Sequence, residues 1–238
     1  MTSEASTDTP PPSSDGICAL MPAFHERGRI GTVVSEVRRH VPTVLVVDDG
    51  SGDGTAEEAE AAGAVVIRHE TNRGKGVALQ TGFEEARKLG FEAVVTLDAD
   101  GQHLPCEIPK FIETYRRTNI PVLIGNRMWD TRGMPRIRRW TNRFMSWLLS
   151  REMRQFVPDT QCGYRLFRCD VIPYIQATSE RFAAESEILL HVAARHMRID
   201  NVRITTVYGS EKSKINPWSD TFRFFGMLRA HRRRMRRK

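Results

Sequence analysis

No apolar run in this chain approaches the ~18 residues needed to cross a bilayer. Its first residues also lack the basic segment and apolar stretch of a secretory leader. Cysteine is sparse. The four present, Cys18, Cys106, Cys162 and Cys169, form no CxxC pair and have no histidine at metal-ligand spacing. They are read as reduced, mostly core thiols of a cytosolic protein, which excludes a disulfide framework and argues against zinc. Internal repeats are missing, and so is any RNA- or DNA-binding motif, so no specific nucleic acid is expected as a partner. Acidic residues fall short of basic ones, 29 against 36, for a net charge of +7. That imbalance favours anionic partners such as nucleotide phosphates or an acidic membrane surface. It is uneven, concentrating after Arg127 and ending in Arg232-Arg233-Arg234-Met235-Arg236-Arg237-Lys238.

What is present is an alternation of short apolar runs and helical segments. Residues 17–21, 44–47, 64–67, 93–97 and 122–124 read as buried strands, because they are short, apolar and largely β-branched. Between them, residues 26–40, 55–62, 75–89 and 106–117 read as helices, with Gly63 a plausible C-cap and Gly90 closing the third helix. This order predicts an α/β domain with a mostly parallel sheet, right-handed crossovers and helices on both faces. The second half is less regular: a helix at 136–151, a short strand near 164–167, a helix at 184–196 and a strand at 199–207. Trp140, Phe144, Trp147 and Leu148 fall on one stripe of the first of these helices. The stripe is assigned to the core, with an interfacial helix as the alternative because arginines flank it.

The strand ends carry the chemistry. Asp98 and Asp100 follow the strand at 93–97, where open α/β sheets bind ligands. Two carboxylates two residues apart suit Mg²⁺ or Mn²⁺, which are commonly held by one or two carboxylates plus substrate phosphates. The preceding strands end in Pro22-Ala23-Phe24-His25-Glu26, in Asp48-Asp49-Gly50-Ser51-Gly52-Asp53-Gly54-Thr55 and in Asn72-Arg73-Gly74-Lys75-Gly76. A doubly wound sheet would gather Asp49, Lys75, Asp98 and Asp100 around one crevice. Such a crevice suits a nucleoside diphosphate with a bridging cation.

These turns, in this order, resemble the signature set of family-2 glycosyltransferases, inverting enzymes of the GT-A (nucleotide-diphospho-sugar transferase) fold. Asp159-Thr160-Gln161-Cys162-Gly163-Tyr164-Arg165-Leu166-Phe167 and the segment from Tyr208 to Ile215 are similar to the dolichyl- or polyprenyl-phosphate sugar synthases within it. One departure is His25, where that family usually has asparagine. The resemblance implies transfer of a hexose from a GDP- or UDP-sugar to a polyprenyl or dolichyl phosphate, with Mg²⁺ or Mn²⁺ as cofactor. It implies that Pro22, Ala23, Glu26 and Asp49 line the base and ribose and that Lys75 sits near the same nucleotide. Asp98 would touch ribose or metal, and Asp100 and Gln102 would hold the cation. Arg127 would face the phosphates, and residues 159–167 would shape the acceptor and donor-sugar end.

Two acceptor chemistries remain open. A lipid monophosphate has a second pKa of about 6, so it arrives mostly as an anion and needs cationic positioning rather than a strong base. Arg132, Arg136, Arg138, Arg139 and Arg143 supply a basic wall, and Lys214 is either a phosphate contact or plain surface charge. A saccharide or lipid hydroxyl would instead need a carboxylate base. Asp159, Glu185 and Glu187 are the candidates. Glu185 and Glu187 point roughly 200° apart on a helix, so only one can face the site, and Glu187 is the one assigned to it. A third reading is a non-catalytic module on a degenerate transferase fold, binding membrane or nucleic acid. Residues 1–15 are expected to be disordered, 16–216 to form the transferase domain, and 217–238 an aromatic and basic C-terminal helix and tail. The chain is expected at the cytosolic face of a membrane as a peripheral protein, with a membrane-anchored partner as a possible aid to lipid access.

Overall fold

The computed structural model describes residues 15–175, 182–205, 224–226 and 228–229. Lys214, all but Asp15 of the segment expected to be disordered, and most of the C-terminal tail lie outside the described residues.

The apolar runs form strands β1 (Ile17–Ala23), β2 (Val44–Asp48), β3 (Val65–Arg68), β4 (Ala93–Thr96), β5 (Val122–Asn126), β6 (Arg165–Arg168) and β7 (Ile199–Arg203). These make one sheet in the order β3-β2-β1-β4-β6-β5-β7. Every neighbouring pair is parallel except those made by β6, which opposes both β4 and β5. Two reversals restore direction, so β5 points the same way as β4. The C-terminal ends of β1 to β5 and the N-terminal end of β6 therefore share one edge. Pairing fixes their heights: Ala23 meets Asp48, Leu20 meets Thr96, and Thr96 meets Arg165. All of β2 and β4 is buried, and so is β1 but for the half-buried Pro22. Strands covered on both faces explain the unbroken apolar runs.

The helices are α1 (Ile30–Val37), α2 (Thr55–Ala61), α3 (Lys75–Lys88), α4 (Ile108–Thr118), α5 (Arg136–Met153) and α6 (Phe182–Ala194). Helix α1 buries Ile30, Val33, Val34 and Val37, one face at helical spacing. It starts four residues later than the sequence predicts, because Gly28 takes φ 83° in the turn before it. The Glu58 carboxylate of α2 then accepts the Gly28 N–H at 2.6 Å and the Gly31 N–H at 2.9 Å, capping α1 from a neighbour. A 3₁₀ segment at Cys169–Tyr174, unforeseen in the sequence, follows β6. Helix α3 lies hard against β1: a Cβ on Gly82 would stand 2.1 Å from Leu20 Cδ1. That approach carries the first residue of α3, Lys75, toward the tips of β1 and β4.

Helix α5 corrects the sequence reading. Its buried face is Asn142, Met145, Ser146, Leu149 and Met153, whereas Trp140 is 68%, Phe144 50% and Trp147 57% exposed. The buried polar side chains face the chain that follows α5. Asn142 Nδ2 donates to Asp159 at 2.8 Å, Ser146 Oγ accepts the Thr160 N–H at 2.9 Å, and Ser150 Oγ accepts the Val157 N–H at 2.9 Å. A ladder at i, i+4 and i+8 is thus used to bind a loop, and the aromatic stripe is left outward. Near the C-terminus Phe224 and Leu228 are buried in the core, while Phe225 is exposed.

Three thiols are buried as expected, and burial pushes Cys162 up to about 12 and Cys169 up to about 11. Cys106 is exposed.

The turn after β2 depends on one glycine. Gly50 has φ 79°, and a Cβ there would meet the Thr71 carbonyl carbon at 2.6 Å. Gly50→Ala should therefore cost about 2–4 kcal/mol in urea unfolding, since both the left-handed backbone and the backbone contact oppose it. A loss under about 0.5 kcal/mol would show that this turn is not constrained as described.

Candidate active site

The shared sheet edge brings four charged side chains together. Lys75 Nζ lies 2.6 Å from Asp98 Oδ1, at the tip of β4, and 2.6 Å from Glu185 Oε1, on α6. Burial opposes the charge on Lys75, but the two carboxylates outweigh it and its pKa is raised. Burial likewise opposes ionisation of Asp98, yet the Lys75 ammonium beside it holds its carboxyl well below the usual range. The fourth member is Arg165, at the start of β6 and fully buried. Its Nε donates to the Cys162 carbonyl at 2.8 Å, and its two terminal nitrogens donate to the carbonyls of Glu185 at 2.8 Å and Thr160 at 2.9 Å. It also stands 3.9 Å from the Glu185 carboxylate. Two cations and two carboxylates thus balance, and Arg165 ties the loop before β6 to α6.

The structure separates the roles of Glu185 and Glu187. Both are buried, at 4% and 7% exposure, so neither belongs to a solvated face. The one that meets Lys75 is Glu185.

A second buried pair lies beside the first. Asp159 accepts the Arg127 backbone N–H at 3.1 Å, Arg127 Nε at 2.7 Å, Arg127 Nη2 at 2.9 Å and Asn142 Nδ2 at 2.8 Å. Burial alone would raise the Asp159 pKa; the Arg127 charge and these bonds lower it instead. The bidentate geometry fixes Arg127, which extends β5 at the same sheet edge.

The turn after β4 is built around His103. Its Nδ1 accepts the Asp98 N–H at 3.1 Å, and its ring packs 5.1 Å from that of Tyr164. Burial lowers the His103 pKa, in keeping with a neutral ring protonated on the other nitrogen. Asp100 is half-buried. One of its oxygens accepts the Gln102 N–H at 2.9 Å, and it has no cationic partner among the described residues. Of the two aspartates, Asp100 is the one whose charge is not already matched by a side chain. Among the described residues no three acids, histidines or cysteines cluster as a protein-only metal cage. Asp98, Asp100 and Gln102, the residues expected to hold Mg²⁺ or Mn²⁺, carry the oxygen donor types such ions take alongside substrate phosphates.

Other expected site residues are spread along the edge. Asp49 accepts the backbone N–H groups of Arg73 at 2.9 Å and Gly74 at 2.7 Å, and lies 2.7 Å from His69 Nδ1. It therefore shapes the glycine turn that presents Lys75. Ala23 is buried and its carbonyl accepts the Asp49 N–H at 2.8 Å. Pro22 lies close to Lys75 and Asp98. The Glu26 N–H donates to Thr55 Oγ1 at 2.9 Å, and its carboxylate stands 3.4 Å from Arg29. Arg138 and Arg139 are half-buried at the start of α5, with Arg139 donating to Thr131 Oγ1 at 3.3 Å; Arg143 is exposed further along. Arg132 pairs with Asp130 instead of facing the cluster. The sequence reading gives no individual role to Asn142, includes Arg165 only as part of the 159–167 segment, and takes His103 as structural. Arg165 had a signal, an arginine inside a strand with Leu166 and Phe167 after it.

A parallel sheet with one reversed strand, and an acid-bearing turn at the tip of β4, define a GT-A-fold protein. The fold is shared with glucosyl-3-phosphoglycerate synthase from Mycobacterium tuberculosis, solved with Mn²⁺, uridine diphosphate and phosphoglyceric acid. That match has a TM-score of 0.70 and 19% identity, covering 90% of this chain and 78% of the other. Residues 18–175 match Glycosyl transferase family 2, and the chain belongs to that family of glycosyltransferases. It is 30% identical over 211 residues to the undecaprenyl-phosphate mannosyltransferase of Micrococcus luteus, covering 80% of this chain and 83% of that one. It is 29% identical over 215 residues to the UDP-N-acetylglucosamine–dolichyl-phosphate N-acetylglucosaminyltransferase of Methanococcus voltae, covering 81% and 86%.

The Asp159–Arg127 pair has a signed pH dependence. Because its folded pKa is depressed, Asp159 contributes stability fully above the ordinary carboxylate value of about 3.9 and loses it as pH falls toward the folded value. Asp159→Asn leaves a buried guanidinium unmatched and should cost about 3 kcal/mol or more at neutral pH. Its stability should also fall less steeply than wild type between about pH 5 and pH 2. Chemical denaturation across that range checks both, and parallel curves for the two proteins would contradict the assignment.

Proposed function

We propose that this glycosyltransferase moves a hexose from a GDP- or UDP-sugar to a polyprenyl or dolichyl phosphate. The observation that carries the reading is the state of two of the three candidate base carboxylates, Asp159 and Glu185. Asp159 already accepts four hydrogen bonds, and Glu185 is bonded to Lys75. Neither is a ready base for a hydroxyl acceptor, while an acceptor phosphate brings its own anionic nucleophile. The two curated relatives named above carry polyprenyl-type phosphates in their names, which supports the same acceptor class.

In this reading the phosphate oxygen attacks the anomeric carbon, a new C–O bond forms, and the bond to the nucleoside diphosphate breaks with its electron pair leaving on the diphosphate. Pro22, Ala23, Glu26 and Asp49 bind base and ribose. Lys75, held between its carboxylates, completes the nucleotide side. Arg127 is oriented by Asp159 toward the departing phosphates and stabilises their charge. Arg138, Arg139, Arg143 and Lys214 receive the acceptor phosphate. Asp98, Asp100 and Gln102 would hold Mg²⁺ or Mn²⁺, and a cation bound there would supply charge to offset that growing on the leaving oxygens. The protein acts peripherally at the cytosolic face of an anionic membrane, with a membrane-anchored partner assisting lipid access. No described helix is long and apolar enough to cross a membrane.

The test is release of nucleoside diphosphate from UDP- and GDP-sugars with Mn²⁺, offered polyprenyl phosphate or the matching polyprenol. Turnover is expected with the phosphate alone, and equal turnover with the alcohol would overturn the reading. Asp100→Ala should lower kcat by about 10²-fold or more; full activity there would remove the metal role.

A further inference from the structure

Helix α5 turns its aromatic residues to solvent. Ile137 is 69% exposed, and with Trp140, Phe144 and Trp147 it forms a stripe at i, i+3, i+7 and i+10, about 80° wide on the helical wheel. Just past the helix end, Phe156 is 82% exposed, the most exposed of these side chains. Soluble surfaces rarely leave so many large side chains contiguous without a use for them. The charge around the stripe has one sign. Helix α5 contains five arginines and one glutamate. Arg136, Arg143 and Arg151 are exposed along or within the stripe, and Arg154 is exposed beside Phe156, while Glu152 is half-buried on the other flank. Trp147, Arg151, Arg154 and Phe156 line a shallow open groove at this end.

We infer that the outer face of α5 is the surface that docks this enzyme on an anionic lipid bilayer, with Trp140, Phe144 and Trp147 entering the headgroup boundary and the arginines meeting lipid phosphates. Charge complementarity selects this occupant: a second copy of the same face would bring arginine against arginine, whereas an anionic bilayer matches it along the whole helix. The inner face of the same helix holds Asp159 and Thr160 through Asn142 and Ser146. Docking there therefore sets the loop that orients Arg127 next to the membrane. The choice of a lipid surface rests on the proposed acceptor, but the docking itself needs no sugar donor.

The experiment uses the full chain without nucleotide sugar, floated with vesicles of phosphatidylcholine alone or mixed with phosphatidylglycerol. Binding is expected to the mixed vesicles, with at least a tenfold weakening in the Trp140→Ser, Phe144→Ser, Trp147→Ser triple variant. Because these side chains are exposed, the variant should keep the wild-type circular dichroism and its turnover of a water-soluble short-chain polyprenyl phosphate. Brominated phosphatidylglycerol should quench wild-type tryptophan fluorescence, and Trp140→Phe with Trp147→Phe should abolish most of that quenching. A variant with the arginines after Ala230 changed to glutamine should retain the aromatic-dependent quenching. Undiminished flotation of the triple variant would overturn the inference, as would equal binding to both vesicle types. So would a wild-type dimer that the triple variant dissociates without any vesicle binding. Vesicle binding with no transfer to polyprenyl phosphate would leave the docking face standing and remove the acceptor assignment alone.

Discussion

Lys75 is the point through which the site is assembled. One ammonium bridges an aspartate at the tip of β4 and a glutamate on α6, elements far apart in the chain. Its own placement depends on the glycine turn gathered by Asp49 and on the close packing of α3 against β1. Removing either partner would leave an uncompensated charge in a poorly solvated place, which is costly. Arg165 extends the same logic to the loop before β6 by binding three backbone carbonyls. Charges buried in this way contribute little to stability for their cost. What they contribute is one geometry for this part of the sheet edge, the donor side in the proposed reaction.

The second pair, Asp159 with Arg127, divides the labour. An aspartate holding four hydrogen bonds is an anchor and no longer a base. It holds a guanidinium in one orientation at the end of β5, and in the proposed reaction that is where charge would develop. Preorganised charge of this kind needs no reorganisation at the moment of reaction. Chemistry that relies on fixed cations is matched to an acceptor that is already an anion.

Much of this architecture was legible in the sequence, for a physical reason. Strands covered on both faces must be apolar throughout, so Val44–Val47 and Ala93–Thr96 announce themselves, and the polar turns between them carry the site. Their order alone predicts Asp49, Lys75, Asp98 and Asp100 on one edge. Helix α5 was misread because its pattern is inverted. Periodicity finds an apolar stripe but does not say what covers it, and here the inward face carries the buried Asn142 and Ser146 and the half-buried Ser150 to bind a loop. Glu185 and Glu187 could be told to point apart, yet which one meets Lys75 depends on the rotation of α6 about its axis. Arg165 and His103 act through backbone groups, so even an arginine inside a strand does not reveal from residue type alone which groups it binds.

In the proposed reaction the nucleophile's negative charge comes with the acceptor and not from a protein base. This is tested most directly by the pH dependence of kcat/KM with polyprenyl phosphate and with a difluoromethylene-phosphonate analogue, whose fluorines lower the second pKa. The account predicts an inflection near the acceptor's own second pKa, about 6 for the phosphate, that moves down with the analogue. An inflection that stays fixed when the acceptor is changed would belong to a protein carboxylate or histidine, and would contradict it.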